Sequence, residues 1–246
     1  IKIIIILNLS TLLAQTTYTG SNFIIYSDTV TTSDLMVPDN GTISDLNITI
    51  SGTHSDLSRL DFKLISPYGT VVDMVTGSTD GWSGSTVFSG TTFDDEAENP
   101  ISSGTSPYFG SFQPEGNLAD FDQEEMQGTW SLWAFGTIYS GNISEWSITI
   151  MTLPPLTDFS ATPTSGPDPL TVQFTDESIG SDGTVISWSW DFGDGNTSIQ
   201  QNPSHTYENY GIYNVSLIAT DDRGITATET KEGYITVNNS GPVWHV

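Results

Sequence analysis

Three groupings in this sequence have residue types that could do chemistry. The densest is AspAspGluAlaGlu at 94 to 98, four acids in five positions, preceded by Asp80 in a Gly- and Ser-rich stretch. Carboxylate and carbonyl oxygens on an irregular loop are what a hard cation such as calcium takes, whereas a solvated acidic loop needs no ion at all. The second grouping is Trp133 with Phe135, two aromatics in the same phase of one apolar run. The third is GlyThrHis at 52 to 54 with GlyThrSer at 104 to 106, triplets of the kind that surround the His and Ser of a nucleophilic triad. A triad is defined by geometry and roles, and no helix pattern follows Ser106 to carry it as a nucleophile. His54 therefore reads as a loop or strand-end residue, and no catalytic residue is assigned. Three scattered His and no Cys also argue against zinc.

The elements that position these groups are strands. Leu46, Ile48, Ile50; Leu60, Phe62, Leu64; Trp130, Leu132, Ala134; and Trp146, Ile148, Ile150 all alternate, with Gly, Asn, Asp and Ser between the runs. On the strand from Gly128, inward Trp130 and Leu132 turn Trp133 and Phe135 outward, so the pair is expected to form a binding surface or to be covered by residues 16–36 or the second block. A second series, Leu170, Val172, Phe174; Ile186, Trp188, Trp190; and Tyr213, Val215, Leu217, follows the Pro pair at 154 and 155. Those prolines break the ladder and place a linker at 152–156. The reading is all-β: one domain over 16–151, a second over 157–238 and a tail at 239–246. Residues 1–15, with Lys2 and an apolar run to Leu13, read as the remnant of a secretory signal peptide, too short to span a membrane.

Charge excludes a function class. Thirty Asp and Glu against five Lys and Arg give −25, so no basic surface exists to neutralise phosphates, and a nucleic-acid partner is ruled out. The acids at Asp120, Asp122, Glu124 and Glu125 read as surface charge.

Six segments of the first block together resemble the P/Homo B domain, the non-catalytic module that accompanies kexin- and furin-like serine proteases. They are ValProAspAsnGlyThr (37–42), LeuAspPheLysLeuIleSerProTyrGlyThr (60–70), ThrPheAspAspGluAla (92–97), ProGluGlyAsnLeu (114–118), GlyThrTrpSerLeu (128–132) and SerGluTrpSerIleThrIle (144–150). The resemblance implies a jelly-roll-like β-sandwich, and some bacterial members bind calcium in this region, which points to Asp80, Asp94 and Asp95 as ligands. Arg59 departs from the family, where an Asp usually precedes the LeuAsp pair. The second block resembles a PKD domain through TrpAspPheGlyAspGly (190–195), HisThrTyr (205–207), GlyIleTyrAsnVal (211–215) and AspAspArgGly (221–224), which implies an immunoglobulin-like β-sandwich.

The two resemblances imply a non-catalytic accessory region of a protein that is secreted or at the cell surface. Its expected partner is a subtilisin-like protease catalytic domain in the parent chain, or an extracellular protein or polysaccharide bound with calcium. The alternative is a surface adhesin or matrix-binding protein with no protease domain.

Overall fold

The computed structural model describes residues 13–77, 86–137 and 139–241 and divides them into an N-terminal unit, Leu13–Thr152, and a C-terminal unit from Leu153 onward. Both are all-β; the helical elements among the described residues are short 3-10 turns at Leu57–Arg59, Ile101–Ser103 and Leu118–Phe121.

In the N-terminal unit the strands are β1 (Ala14–Gly20), β2 (Phe23–Ile25), β3 (Thr29–Val37), β4 (Asp45–His54), β5 (Leu60–Ile65), β6 (Val71–Val75), β7 (Thr86–Phe93), β8 (Tyr108–Phe112), β9 (Gly128–Gly136) and β10 (Gly141–Thr152). One sheet has the order β1-β10-β4-β7-β8, with β2 also on β10; the other is β3-β9-β5-β6. Alternation decides which side chains enter the core between the sheets: Leu46, Ile48 and Ile50 from β4, Leu60, Phe62 and Leu64 from β5, and Trp130, Leu132 and Ala134 from β9 are all buried. The two large indoles of this core are satisfied as well as buried. Trp130 donates its Nε1–H to Met126 O at 2.9 Å, and Trp146 donates to Ser33 Oγ at 3.0 Å. Left unpaired, each buried N–H would cost about 1–3 kcal/mol. Trp146 also requires Gly20 on neighbouring β1, because a Cβ there would lie 2.0 Å from the indole.

The C-terminal unit contains β11 (Phe159–Thr162), β12 (Ser165–Pro167), β13 (Leu170–Asp176), β14 (Val185–Asp191), β15 (Thr197–Ser198), β16 (Ser204–Tyr207), β17 (Gly211–Asp221) and β18 (Thr226–Asn238). These form sheets β11-β13-β16 and β12-β18-β17-β14-β15. Phe159, Val172, Phe174, Trp190, Tyr207, Val215 and Leu217 make their common core.

Several expectations need correction. The first strand begins at Ala14 and pairs it with Thr152, so the N-terminal sheet takes in residues assigned to the signal and to the linker. Residues 1–12 lie outside the described residues, as do 242–246 of the tail. Leu156 also leaves the linker, since it exchanges backbone hydrogen bonds with Ile179 at 2.8 and 2.9 Å. Ile186 does not continue the inward stripe of Trp190: the register shifts between Val185 and Ser187, and this bulge leaves Ile186 58% exposed. Trp188 is half-buried at the core's margin, its Nε1–H donated to Asp176 at 2.7 Å.

Candidate functional site

Strand β9 runs between β3 and β5, and its outward side chains lie in rows with theirs. Phe135 stands between Val30 and Asp61, and Trp133 between Thr32 and Lys63. The outward phase of the aromatic pair is therefore as expected, though both rings are half-buried. They stack on each other with centroids 6.1 Å apart and planes 29° from parallel. Lys63 places its Nζ 5.6 Å from the Trp133 ring centre while bonding Asp73 at 2.7 Å. The cation thus lies over the indole ring and is itself neutralised. Sequence reading missed Lys63; its outward parity opposite Leu64 was the available signal.

Beside Phe135 the sheet surface passes into a pocket lined by Ser58, Arg59, Asp61, Thr76, Gly77 and Thr137. Asp61 accepts Gly77 N–H at 2.6 Å, and Thr137 N–H donates to Arg59 O at 2.8 Å, so backbone contacts hold both walls. Among the described residues Arg59 is the one Lys or Arg outside any ion pair.

The acidic residues gather at the other sheet. Asp94 accepts Glu96 N–H at 2.9 Å, and Asp95 accepts Ala119 N–H at 2.7 Å. Asp45, at the start of β4, has its carboxyl raised by burial and by the charges of Asp94 and Asp95. Glu96 is raised by its side-chain hydrogen bond to Asp94, by burial and by Asp45; Asp122 is raised by burial, Asp45 and Asp95. Like charges near one another disfavour full ionisation. Of the acids read as surface charge, Asp122 and Glu124 are half-buried, and Glu124 accepts a hydrogen bond from Thr70 Oγ1. Asp80 lies outside the described residues. Among the described residues no three His, Asp or Glu converge as a metal-binding group.

His54 ends β4, 2% exposed, with Nδ1 2.7 Å from Asp56 O and Nε2 3.2 Å from Tyr139 O. Backbone carbonyls hold its ring, and the Ser106 hydroxyl accepts Val87 N–H at 3.0 Å. Each residue is used to fasten a loop.

The motif residues of the C-terminal unit are likewise committed to structure. Gly193 and Gly195 have φ of +79° and +92°, which the turn of the TrpAspPheGlyAspGly segment requires. Asp194 at its tip binds His205 Nε2 at 2.8 Å. Burial opposes ionisation of Asp194, but the His205 and Asn196 hydrogen bonds outweigh it and hold the carboxyl below its usual range. The His205 ring stacks on Phe192 at 4.2 Å and 4°, and Tyr207 donates its hydroxyl to Phe192 O at 3.0 Å. In AspAspArgGly, the Arg223 guanidinium is 4% exposed and reaches Asp182 at 2.8 Å, Asp221 at 2.5 Å and Leu153 O at 2.9 Å. Asp221, fully buried in its side chain, also accepts the N–H groups of Arg223 and Ile225.

This C-terminal unit is a small β-sandwich module whose signature residues tie turns to core. It belongs to the PKD domain family, whose model matches residues 153–237. The chain is 32% identical over 128 residues to a microbial collagenase of Vibrio alginolyticus, a match covering 48% of the chain and 16% of that protein. It is 45% identical over 71 residues to collagenase ColQ1 of Bacillus cereus strain Q1, covering 26% and 7%. Among solved structures it resembles the PKD1 domain of the Vibrio cholerae metalloprotease PrtV, at 34% identity over 35% of this chain and 99% of that one, with a TM-score of 0.31. The chain thus spans a small part of the length of these two collagenases. No helix among the described residues is long and apolar enough to cross a membrane.

Proposed function

We propose that this chain is a non-catalytic accessory region of a larger secreted hydrolase, and that it holds the parent protein on an extracellular polymer. The observation that carries this reading is the PKD unit, whose relatives include proteins named as collagenases and a metalloprotease. The use of His54 and Ser106 as fastening residues supports the non-catalytic part.

The N-terminal unit takes the role of a P/Homo B module in this reading. Support comes from where its recognised segments fall: GlyThrTrpSerLeu opens β9, SerGluTrpSerIleThrIle lies in β10, and both supply buried indoles to one core. Calcium enters as a stabiliser of the loop after β7. Asp94 and Asp95 would supply carboxylate oxygens, and a cation there would relieve the repulsion that raises Asp45, Glu96 and Asp122. The described side chains do not make a closed cage by themselves, so carbonyls, water or Asp80 would have to complete the shell.

The test has two arms, run on the whole chain. Casein and ester substrates should show no turnover, and the chain should be retained on at least one insoluble extracellular polymer, fibrous collagen included. Turnover abolished by Ser106→Ala overturns the accessory reading, and retention on no polymer overturns the holding role.

A further inference from the structure

We infer that the outer face of the β3-β9-β5-β6 sheet binds a neutral polysaccharide, with Trp133 and Phe135 as the stacking platform and Arg59 and Asp61 as the hydroxyl-reading rim. The inference rests on the accessory-binding reading and narrows it to one ligand class and one set of residues.

Four observations carry it. The first is the platform. Rings 6.1 Å apart and within 29° of parallel put two neighbouring aromatic groups on a rigid central strand, and Lys63 lies over the Trp133 ring. Aromatic area of this kind loses little conformational entropy on contact. A sugar ring matches it, because its C–H face is apolar while its hydroxyls project around the rim.

The second is what stands at that rim. Asp61 is the cross-strand partner of Phe135, and it opens into the pocket that Arg59, Ser58 and Thr137 also line. A carboxylate accepts hydrogen bonds, a guanidinium donates up to five, and hydroxyls do both. Groups of sugar hydroxyls need both capacities side by side.

The third is charge. The platform's cation is neutralised by Asp73, and Arg59 shares its pocket with the Asp61 carboxylate. With −25 on the whole chain, no net positive field remains to hold a sulfated or uronic glycan. A neutral polyol faces no such barrier.

The fourth concerns the competing class of ligand. An extended peptide most often binds a sheet by adding a strand to an open edge. Here the aromatics sit on β9, which β3 and β5 pair on both sides, so the platform has no free backbone edge beside it.

The test uses the whole chain, with microcrystalline cellulose, chitin, unsubstituted xylan and fibrous collagen as probes in a depletion assay. Retention is expected on at least one of the three polysaccharides. Trp133→Ser/Phe135→Thr should lower that retention at least about tenfold, the effect of losing one hot-spot contact. Arg59→Gln, at an exposed position that bears no ion pair, should lower it severalfold while leaving melting unchanged. If the double variant fails to fold, Arg59→Gln and the milder Trp133→Leu decide the matter. Retention on collagen alone overturns the inference while leaving the accessory reading intact. So does polysaccharide retention that none of these substitutions weakens in folded protein, since the site then lies elsewhere. Retention on no polymer overturns both.

Discussion

In the C-terminal unit the carboxylates with altered affinity for protons, Asp158, Asp168 and Asp194, are all held low by hydrogen-bond donors: Lys231 for Asp158, Ser240 for Asp168, and His205 with Asn196 for Asp194 against its burial. In the N-terminal unit Asp45, Glu96 and Asp122 are all pushed up, by burial and by neighbouring acids. The two units share an all-β architecture and a shortage of Lys and Arg, so the difference lies in placement. The C-terminal unit sets Arg223, Lys231 and His205 directly on its acids, whereas the N-terminal nest has no basic partner among the described residues. An excess of acid is thus arranged differently in each half: acids set against basic partners in one, and acids set near other acids in the other.

The sharpest way to break this contrast is Arg223→Ala. It would strand the buried Asp221 carboxylate, and removing one partner of a buried pair costs about 3–5 kcal/mol. In calorimetry the transition of the C-terminal unit should collapse or move far down while the N-terminal transition stays in place. A shift of both together would show that the units do not melt separately.

Calcium should act on the other half. An ion bound only by folded protein adds about 2.7 kcal/mol at a hundredfold excess over Kd. Melting with millimolar calcium against chelator, at constant ionic strength, should raise the N-terminal transition and leave the C-terminal one alone. Asp94→Ala/Asp95→Ala should remove the gain; an equal gain in that variant would assign it to general screening.

Acid should separate the units with opposite signs in chelator. Asp45, Glu96 and Asp122 bind protons more tightly when folded, so the N-terminal unit gains stability as pH falls from neutral through their raised values. Asp158 and Asp194 lie below the ordinary 3.8, so their contribution is present above that value and is lost as pH falls through the lowered folded values. Melting followed as pH falls from neutral through the carboxylate range should show the first transition gaining on the second. A parallel fall of both would contradict the assignment.

The smallest effect is expected at Ile186→Ser. Its bulge position makes it a surface residue, and such changes stay within about 0.5 kcal/mol. A loss several times larger would restore Ile186 to the core.

That last case marks where sequence stops being legible. Alternation placed Trp130, Leu132 and Ala134 inward, and Trp133 and Phe135 outward, because β9 runs without a register shift between its two neighbours. The same rule misplaced Ile186, since a bulge changes parity without any signal in the residue types. The acidic nest was half visible. Asp94 and Asp95 are adjacent in sequence, but Asp45 and Asp122 reach them only through the order in which β4, β7 and the turn at Leu118–Phe121 come together. Likewise Asp61 is an ordinary outward residue of β5 until the register sets it against Phe135.

The pairing of β1 with β10 sets the order of events during synthesis. Ala14 finds its partner only when Thr152 has left the ribosome, and at ordinary elongation rates that wait is on the order of ten seconds. Through that interval the nascent chain carries β1 without its neighbour, as AlaGlnThrThrTyrThrGly, a segment rich in hydroxyls and poor in large aliphatic groups. Such a strand offers little to adhere to other emerging chains. Closure of this sheet therefore waits for β10, and a polypeptide arrested before residue 141 would leave β1 and β4 both lacking the strand that joins them.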